Sequence, residues 1–230
     1  MERGDVEEGP SWDCLRKAQL CVEPSARLRY ALEGLRASER EGDWKKEEEA
    51  ESIRALLFRQ ASQASLLLGR EEEALAFALS FCGQGTLTDV AHAERATILR
   101  LLARPEEAIE AQQQAVLHAP SSRASFHLWC LAQLQQSCAL WKDAHASLDR
   151  AKQAEGADLL LLSAQRCLLR FRHEGHDPRA PELLGRLRDA GRPLGYAEYL
   201  YGLIACTSGR MQRVKGPSAV SSKDSKGQSR

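Results

Sequence analysis

Residues 104–120 have the sequence Arg-Pro-Glu-Glu-Ala-Ile-Glu-Ala-Gln-Gln-Gln-Ala-Val-Leu-His-Ala-Pro. Pro105 stands where proline commonly starts a helix, and the two glutamates that follow it favour a helix N-terminus. Ala108 and Ala115 are strong helix formers in the body of the stretch, and Pro120 ends it. The stretch therefore predicts one short α-helix, and looser versions of it recur along the chain at an almost constant interval.

A small residue opens the second helix of each predicted helix pair. These residues are Ala74, Ala108, Ala144 and Ala180, separated by 34, 36 and 36 residues. Five residues before each of them, at the expected tight turn within the pair, stand Gly69, Ala103, Ala139 and Gly175. A period near 34 residues predicts an all-α solenoid of stacked antiparallel helix hairpins, because one hairpin cannot bury its apolar face without its neighbour.

These units resemble the tetratricopeptide repeat family. The pattern of that family is Trp-x-x-Leu-Gly-x-x-Tyr in the first helix, then Ala-x-x-x-Phe and a later Pro. Ala108, Ala115 and Pro120 match its second half, although Gln112 stands where the family has Phe.

The last unit matches the first half of the same pattern. Tyr201 and Gly202 fall on the Leu and Gly positions and Gly209 stands at the turn, whereas Glu198 replaces the Trp. The resemblance covers residues 50–210. It implies a right-handed α-solenoid of four to five hairpins, with a concave groove lined by the first helix of each pair.

The domain organisation follows from composition. We expect the array over residues 11–210, with a charged insertion near residues 39–50. Residues 1–10 are acidic and residues 211–230 are rich in Ser, Lys and Gly, so both are predicted to be disordered. Because the helix expected after Gly209 does not follow, we expect the chain to be a shortened form of a longer repeat protein. A natural full-length transcript encoding only these residues would contradict this.

The overall charge gives no support for nucleic acid or membrane as a partner. The 230 residues include 32 Lys and Arg and 32 Asp and Glu, so the formal net charge is zero. The apolar runs are shorter than the roughly twenty residues that a spanning helix needs. The acidic N-terminus lacks the apolar segment of a secretory signal, and the seven cysteines form no Cys-x-x-Cys pair. We expect free thiols and a cytoplasmic or nuclear location.

Motifs of catalysis and cofactor binding are missing from the sequence. It contains neither a phosphate-binding glycine loop nor a Gly-x-Ser-x-Gly elbow, so we expect no enzyme and no cofactor. Cys167, His173, His176 and Asp177 are of metal-ligand types. His173 and His176 flank the glycine of a turn, where exposed polar residues are common, so we favour solvated side chains and expect no metal site.

Some tetratricopeptide repeat proteins hold the C-terminal carboxylate of a chaperone with cations and amides on their first helices. The corresponding positions here are Arg59, Gln63, Glu94, Phe126 and Cys130. Only Arg59 and Gln63 suit a carboxylate, since a glutamate, an aromatic ring and a thiol would repel or ignore it. We therefore expect no binding of a chaperone tail.

The predicted function is that of a noncatalytic protein-interaction scaffold that takes a peptide or a partner helix in its groove. The candidate contact residues, expected to be exposed on first helices, are Arg59, Gln63, Glu94, Arg95, Gln133 and Gln135. The alternative is an RNA-associated or enzyme-accessory solenoid. Basic residues cluster late in the chain, where we favour solvated helix faces and a solubilising tail over a face for acidic peptides or RNA. These basic residues are Arg166, Arg170, Arg172, Arg179, Arg186, Arg188, Arg192, Arg210, Arg213 and Lys215. Few aromatic residues accompany them for base stacking, which disfavours RNA.

Overall fold

A computed structural model describes residues 9–40, 47–175 and 177–189, and within these ranges the chain forms ten α-helices and no strand. The helices are α1 (Pro10–Leu20), α2 (Pro24–Arg40), α3 (Glu47–Leu67), α4 (Glu71–Cys82), α5 (Thr88–Leu101), α6 (Pro105–His118), α7 (Ser121–Ser137), α8 (Trp141–Gln153), α9 (Leu159–Glu174) and α10 (Ala180–Asp189). The predicted all-α fold is confirmed. None of these helices is long and apolar enough to cross a membrane.

The chain divides into two compact units, residues 1–169 and 170–230. In the first unit, α1–α2, α3–α4, α5–α6 and α7–α8 pack as helix pairs. Short connections make the two helices of each pair antiparallel. Each pair also packs on the next one, through the contacts α2–α3, α4–α5 and α6–α7. The first unit is therefore a stack of helix hairpins.

The turns within the last three hairpins of the first unit share one backbone geometry. Gly69, Ala103 and Ala139 have φ angles of +71°, +55° and +57°. After each of them, the N–H of the next residue donates to the carbonyl five residues earlier, at 2.9 Å in all three turns. This is the Schellman motif, which satisfies carbonyls at a helix C-terminus. Alanine occupies the left-handed position in two turns, although glycine adopts this conformation at lower cost.

The small residues of the repeat lie where the two helices of a hairpin cross. Ala74, Ala108 and Ala144 are completely buried. Each of them follows a buried small residue of the first helix by 12 residues, namely Ser62, Ala96 and Ala132. The Ser62 hydroxyl donates to the Ala74 carbonyl at 3.1 Å, which shows how closely the helices approach. Small side chains permit the short interaxial distance of such a crossing.

Two positions in the first hairpin show how its sequence determines its geometry. α1 begins at Pro10 and its N-cap is Gly9, so Ser11 is a buried residue within the helix. Proline is favoured at the first helical position. In α2, a Cβ atom on Gly34 would lie 2.6 Å from Leu57 Cδ2 of α3. A larger residue at this point inside the helix would force the Leu57 side chain to shift, so close packing favours glycine.

The described part of the second unit contains the end of α9, a turn and α10. Gly175 in the turn has a φ of +79°, and Ala180 at the start of α10 is buried. The Asp177 carboxylate is paired with Arg170 and Arg179, with N–O distances of 3.7 and 3.8 Å. Among the described residues, no three His, Cys, Asp or Glu side chains are grouped so that they could hold a metal ion.

Several expectations fall on residues outside the described ranges. These are the predicted disorder of residues 1–8 and 211–230, residues 41–46 of the charged insertion, His176, and the last repeat unit with Gly202 and Gly209.

Candidate functional site

A groove with a volume of about 820 Å³ lies along the first helices α3, α5 and α7 of three consecutive hairpins. Its lining residues recur every three to four positions, which places them on one face of each helix. They include Arg59, Gln63 and Leu66 on α3, Val90, Ala93, Thr97 and Arg100 on α5, and Phe126, Cys130, Gln133 and Ser137 on α7. The repeat thus brings equivalent faces of successive first helices to one surface.

Short side chains and one exposed ring are among the residues that line the groove. Ala93 and Thr97 of α5 are small, while the Phe126 ring of α7 is 55% exposed and packs against Trp129 with ring centroids 5.7 Å apart. Cys130 also lines the groove, and burial raises the pKa of its thiol to about 11. Cys130 is therefore a neutral thiol at physiological pH and not an activated nucleophile.

Glu94 joins α5 to α3 at the edge of the groove. Its Oε2 accepts from Arg59 Nε at 3.2 Å and from Gln63 Nε2 at 3.4 Å, whereas its Oε1 is buried and has no hydrogen-bond partner. We call Arg59, Gln63 and Glu94 the first seam. Burial raises the pKa of Glu94 to about 7, and the opposing attraction of Arg59 does not compensate for it.

Asp89 joins α5 to α7 in a second polar contact. Its two carboxylate oxygens accept from Arg123 Nε and Nη2, both at 2.8 Å, and His127 Nε2 lies 3.0 Å from Oδ2. Gln112 of α6 reaches the same histidine, because its Nε2 donates to the His127 carbonyl at 3.0 Å and lies 3.5 Å from Nδ1. We call Asp89, Gln112, Arg123 and His127 the second seam.

Hydrogen bonding in the second seam orients the histidine ring. The Asp89 carboxylate can only accept, so it receives a hydrogen bond from His127 Nε2. On the other side of the ring, the Gln112 amide donates to the His127 carbonyl and lies beside Nδ1. Burial would raise the pKa of Asp89, but the hydrogen bonds from Arg123 and His127 hold it below its ordinary value. Asp89 and His127 are each 3% exposed, whereas Arg123 is 44% exposed, so the buried pair of the seam lies under a partly exposed guanidinium.

A third polar contact joins α7 to α9 within the first unit. Gln133 Nε2 donates to Gln165 Oε1 at 3.3 Å, and Gln165 Nε2 donates to Gln136 Oε1. All three amides are uncharged. Polar side chains therefore connect each of the first helices α3, α5, α7 and α9 to the next.

The structure places the six predicted contact residues in different environments. Arg59, Gln63, Glu94 and Gln133 line the groove, whereas Arg95 and Gln135 do not. Gln135 is 6% exposed, and its amide oxygen accepts from Ser147 of α8 at 2.7 Å. The expected exposure of Gln135 is therefore wrong, because this face of α7 packs against the second helix of its own hairpin.

Sequence reasoning did not identify the second seam. Asp89 and Arg123 are separated by 34 residues, one repeat period, so a signal existed: opposite charges at equivalent positions of successive first helices. Gln112 also carried a signal, since it is a polar residue at the Phe position of the family pattern. It is buried, and its amide is bonded to His127.

Comparisons with known proteins support the architecture. No family model matches the sequence, and no curated protein matches it. Among solved structures, a tetratricopeptide repeat protein from Parabacteroides merdae is similar, with a TM-score of 0.62, 15% identity, and coverage of 87% of this chain and 77% of the other.

Two further solved structures are similar. MamA protein has a TM-score of 0.55 and 11% identity, over 91% of this chain and 96% of its own. The apo form of RapI has a TM-score of 0.53 and 12% identity, over 86% of this chain and 61% of its own. At these identities the likeness concerns the fold. Together with the internal period, it identifies this chain as having the fold of a tetratricopeptide repeat protein with divergent repeats.

Proposed function

We propose that this chain is a noncatalytic scaffold that binds an extended peptide or a helix of a partner protein in the groove along α3, α5 and α7. The observation that carries this proposal is the groove itself, which three first helices line with side chains already held by polar contacts between hairpins. Side chains fixed before binding lose less entropy when a ligand arrives, so such a surface is suited to recognition.

The chemistry of the second seam supports the noncatalytic part of the proposal. Asp89 and His127 form a carboxylate–imidazole pair of the kind that serves in nucleophilic catalysis. In such sites the other imidazole nitrogen activates a hydroxyl or a thiol. Here that nitrogen, Nδ1, faces the Gln112 amide, and the imidazole is buried. The pair therefore has the character of a structural connection between hairpins.

Blocking the groove tests the proposal. Thr97 is an exposed groove residue of α5, so Thr97→Trp fills the groove without changing the core. Gln113→Trp is the matched control, since Gln113 is exposed on α6 and does not line the groove. Tagged full chains of the wild type and both variants are expressed in cells, and the proteins they retain are identified by mass spectrometry with and without nuclease.

We expect the wild type and Gln113→Trp to retain the same proteins, and Thr97→Trp to lose them. Retention of the same proteins by all three chains would contradict binding in the groove. Loss of the retained proteins after nuclease treatment would instead indicate that the association depends on RNA.

A further inference from the structure

In both seams the arginine side chain is more exposed than the carboxylate that it pairs with. In the first seam the Arg59 side chain is 38% exposed and that of Glu94 is 12% exposed. In the second seam the corresponding values are 44% for Arg123 and 3% for Asp89. Because each carboxylate lies beneath a guanidinium and accepts from it, the charged groups that face a ligand are the remaining N–H donors of the arginines.

Arg100 adds a third guanidinium to the groove, toward the C-terminal end of α5. It lines the groove, is exposed, and forms no ion pair with the described residues. Glu94 is the only acidic residue in the described lining, and the amides of Gln63 and Gln133 are uncharged. The accessible surface of the groove therefore presents more positive than negative charge, although the chain as a whole is neutral.

The apolar residues of the groove indicate which class of ligand it can bind. The exposed Phe126 ring and the short side chains of Ala93 and Thr97 line the same groove, so an apolar side chain of a ligand can pack against the ring there. Nucleic acid fits less well, because single strands bind through several rings on which successive bases stack. Within the described lining, Phe126 is the only exposed ring.

We propose that the groove binds an extended acidic segment of a partner protein, with side-chain carboxylates over Arg59, Arg100 and Arg123 and an apolar side chain against Phe126. This inference rests on the function proposed above and adds the chemistry of the partner. Guanidinium and carboxylate groups form strong, charge-assisted hydrogen bonds. Because the carboxylates belong to side chains, the segment needs no free C-terminus.

Selection from a random peptide library tests the charge of the preferred ligand. Peptides of twelve random residues are displayed on phage through their C-termini, so that no peptide offers a terminal carboxylate, and are selected on the immobilised full chain. We expect the selected peptides to contain Asp and Glu at about twice the frequency of the input library, together with a large apolar residue.

Variants test whether the groove arginines cause the selection. A selected peptide is synthesised with an amidated C-terminus, labelled with fluorescein, and titrated with each protein by fluorescence anisotropy. Arg100→Gln should weaken binding about tenfold, as expected for the loss of one charge-assisted contact. Glu94→Gln should strengthen it severalfold, because it removes the negative charge beneath Arg59. Arg150→Gln, on the exposed surface of α8 away from the groove, should change nothing.

Each outcome bears on a different claim. Selected peptides without an excess of Asp and Glu, or weaker binding by Glu94→Gln, would overturn the acidic segment and leave groove binding intact. Failure to select any peptide would count against both proposals. Tighter binding of a twelve-nucleotide polyuridine than of the selected peptide, with loss of that binding in Arg100→Gln, would replace the acidic segment by nucleic acid.

Discussion

The two seams contain the same kind of ion pair, yet the pKa values of their carboxylates are shifted in opposite directions. In both, an arginine on one first helix covers a carboxylate on α5. Burial raises the pKa of Glu94 to about 7, whereas the pKa of Asp89 lies below its ordinary value. The pairs differ little in the nature of the cation, so the cause must lie in the other contacts of each carboxylate.

Hydrogen bonding explains the difference. Asp89 accepts two bonds from Arg123 and one from His127, all between 2.8 and 3.0 Å, and uses both oxygens. Glu94 accepts two longer bonds on one oxygen, and its other oxygen is buried without a partner. Bonds to the charged form lower a carboxylate pKa, whereas desolvation without bonds raises it. A cation above a buried carboxylate is thus insufficient to keep it ionised.

Breaking the second seam should have the largest effect. Asp89→Asn removes the negative charge beneath Arg123 and leaves the N–H donors of Arg123 and of the buried His127 with one acceptor oxygen instead of two. We expect the free energy of unfolding to fall by about 3 kcal/mol at pH 7, as for other buried pairs that lose one partner. Urea denaturation of the full chain measures this change.

The control is the same substitution at an exposed ion pair. Asp149 pairs with Arg166 and its side chain is 57% exposed, so Asp149→Asn should cost less than about 0.5 kcal/mol. Because the folded pKa of Asp89 is below 3.8, its ionised form stabilises the fold above pH 3.8, and this contribution is lost as the pH falls further. Equal losses for the two variants at pH 7 would show that the second seam contributes no more than a surface pair.

Removing the negative charge of Glu94 in the first seam should instead raise the free energy of unfolding. The folded pKa of Glu94 is raised from 4.5 to about 7, so ionisation opposes folding as the pH rises through this window. The full difference corresponds to about 3 kcal/mol as an upper limit. The free energy of unfolding of Glu94→Gln should therefore be about 2 kcal/mol higher than that of the wild type at pH 8. At pH 4.5 the two free energies of unfolding should be about equal.

Urea denaturation of the wild type and Glu94→Gln at pH 4.5, 6, 7 and 8 measures this crossover. The wild type should lose stability relative to the variant as the pH rises from 4.5 through 7, and the difference should level off above about pH 8. A variant that is less stable than the wild type at pH 8 would show that the ionised Glu94 is satisfied, as Asp89 is.

The sequence predicts the fold far better than it predicts the seams. A fold of stacked hairpins needs small residues wherever two helices cross, so Ala74, Ala108 and Ala144 recur with a period that can be counted along the chain. The seams depend on which pairs of long side chains meet across neighbouring helices. Arg59 and Glu94 were both identified as groove residues, but the bond between them depends on rotamers that their spacing of 35 residues does not specify.

The burial of a polar residue on a first helix is the second feature that the sequence does not predict. Gln135 was expected to be exposed because it is polar and stands on a first helix. α7 packs against its own partner α8 as well as bordering the groove, so a polar residue can face inward if a partner such as Ser147 meets it. Gln133 lines the groove and Gln135 does not. The two can be distinguished only when the arrangement of the neighbouring helices is known.

The smallest effect concerns the turns that end α3 and α5, the helices joined by the first seam. Both turns have the same Schellman geometry, but Gly69 occupies the left-handed position in one and Ala103 in the other. Ala103→Gly should raise the free energy of unfolding by about 1 kcal/mol, and Gly69→Ala should lower it by a similar amount. Unlike the change at Glu94, both shifts should be equal at pH 5 and pH 8, because no titrating group is involved. If the change in the free energy of unfolding of Ala103→Gly depended on pH, backbone geometry would contribute to the difference in pKa between Glu94 and Asp89. Hydrogen bonding alone would then not explain that difference.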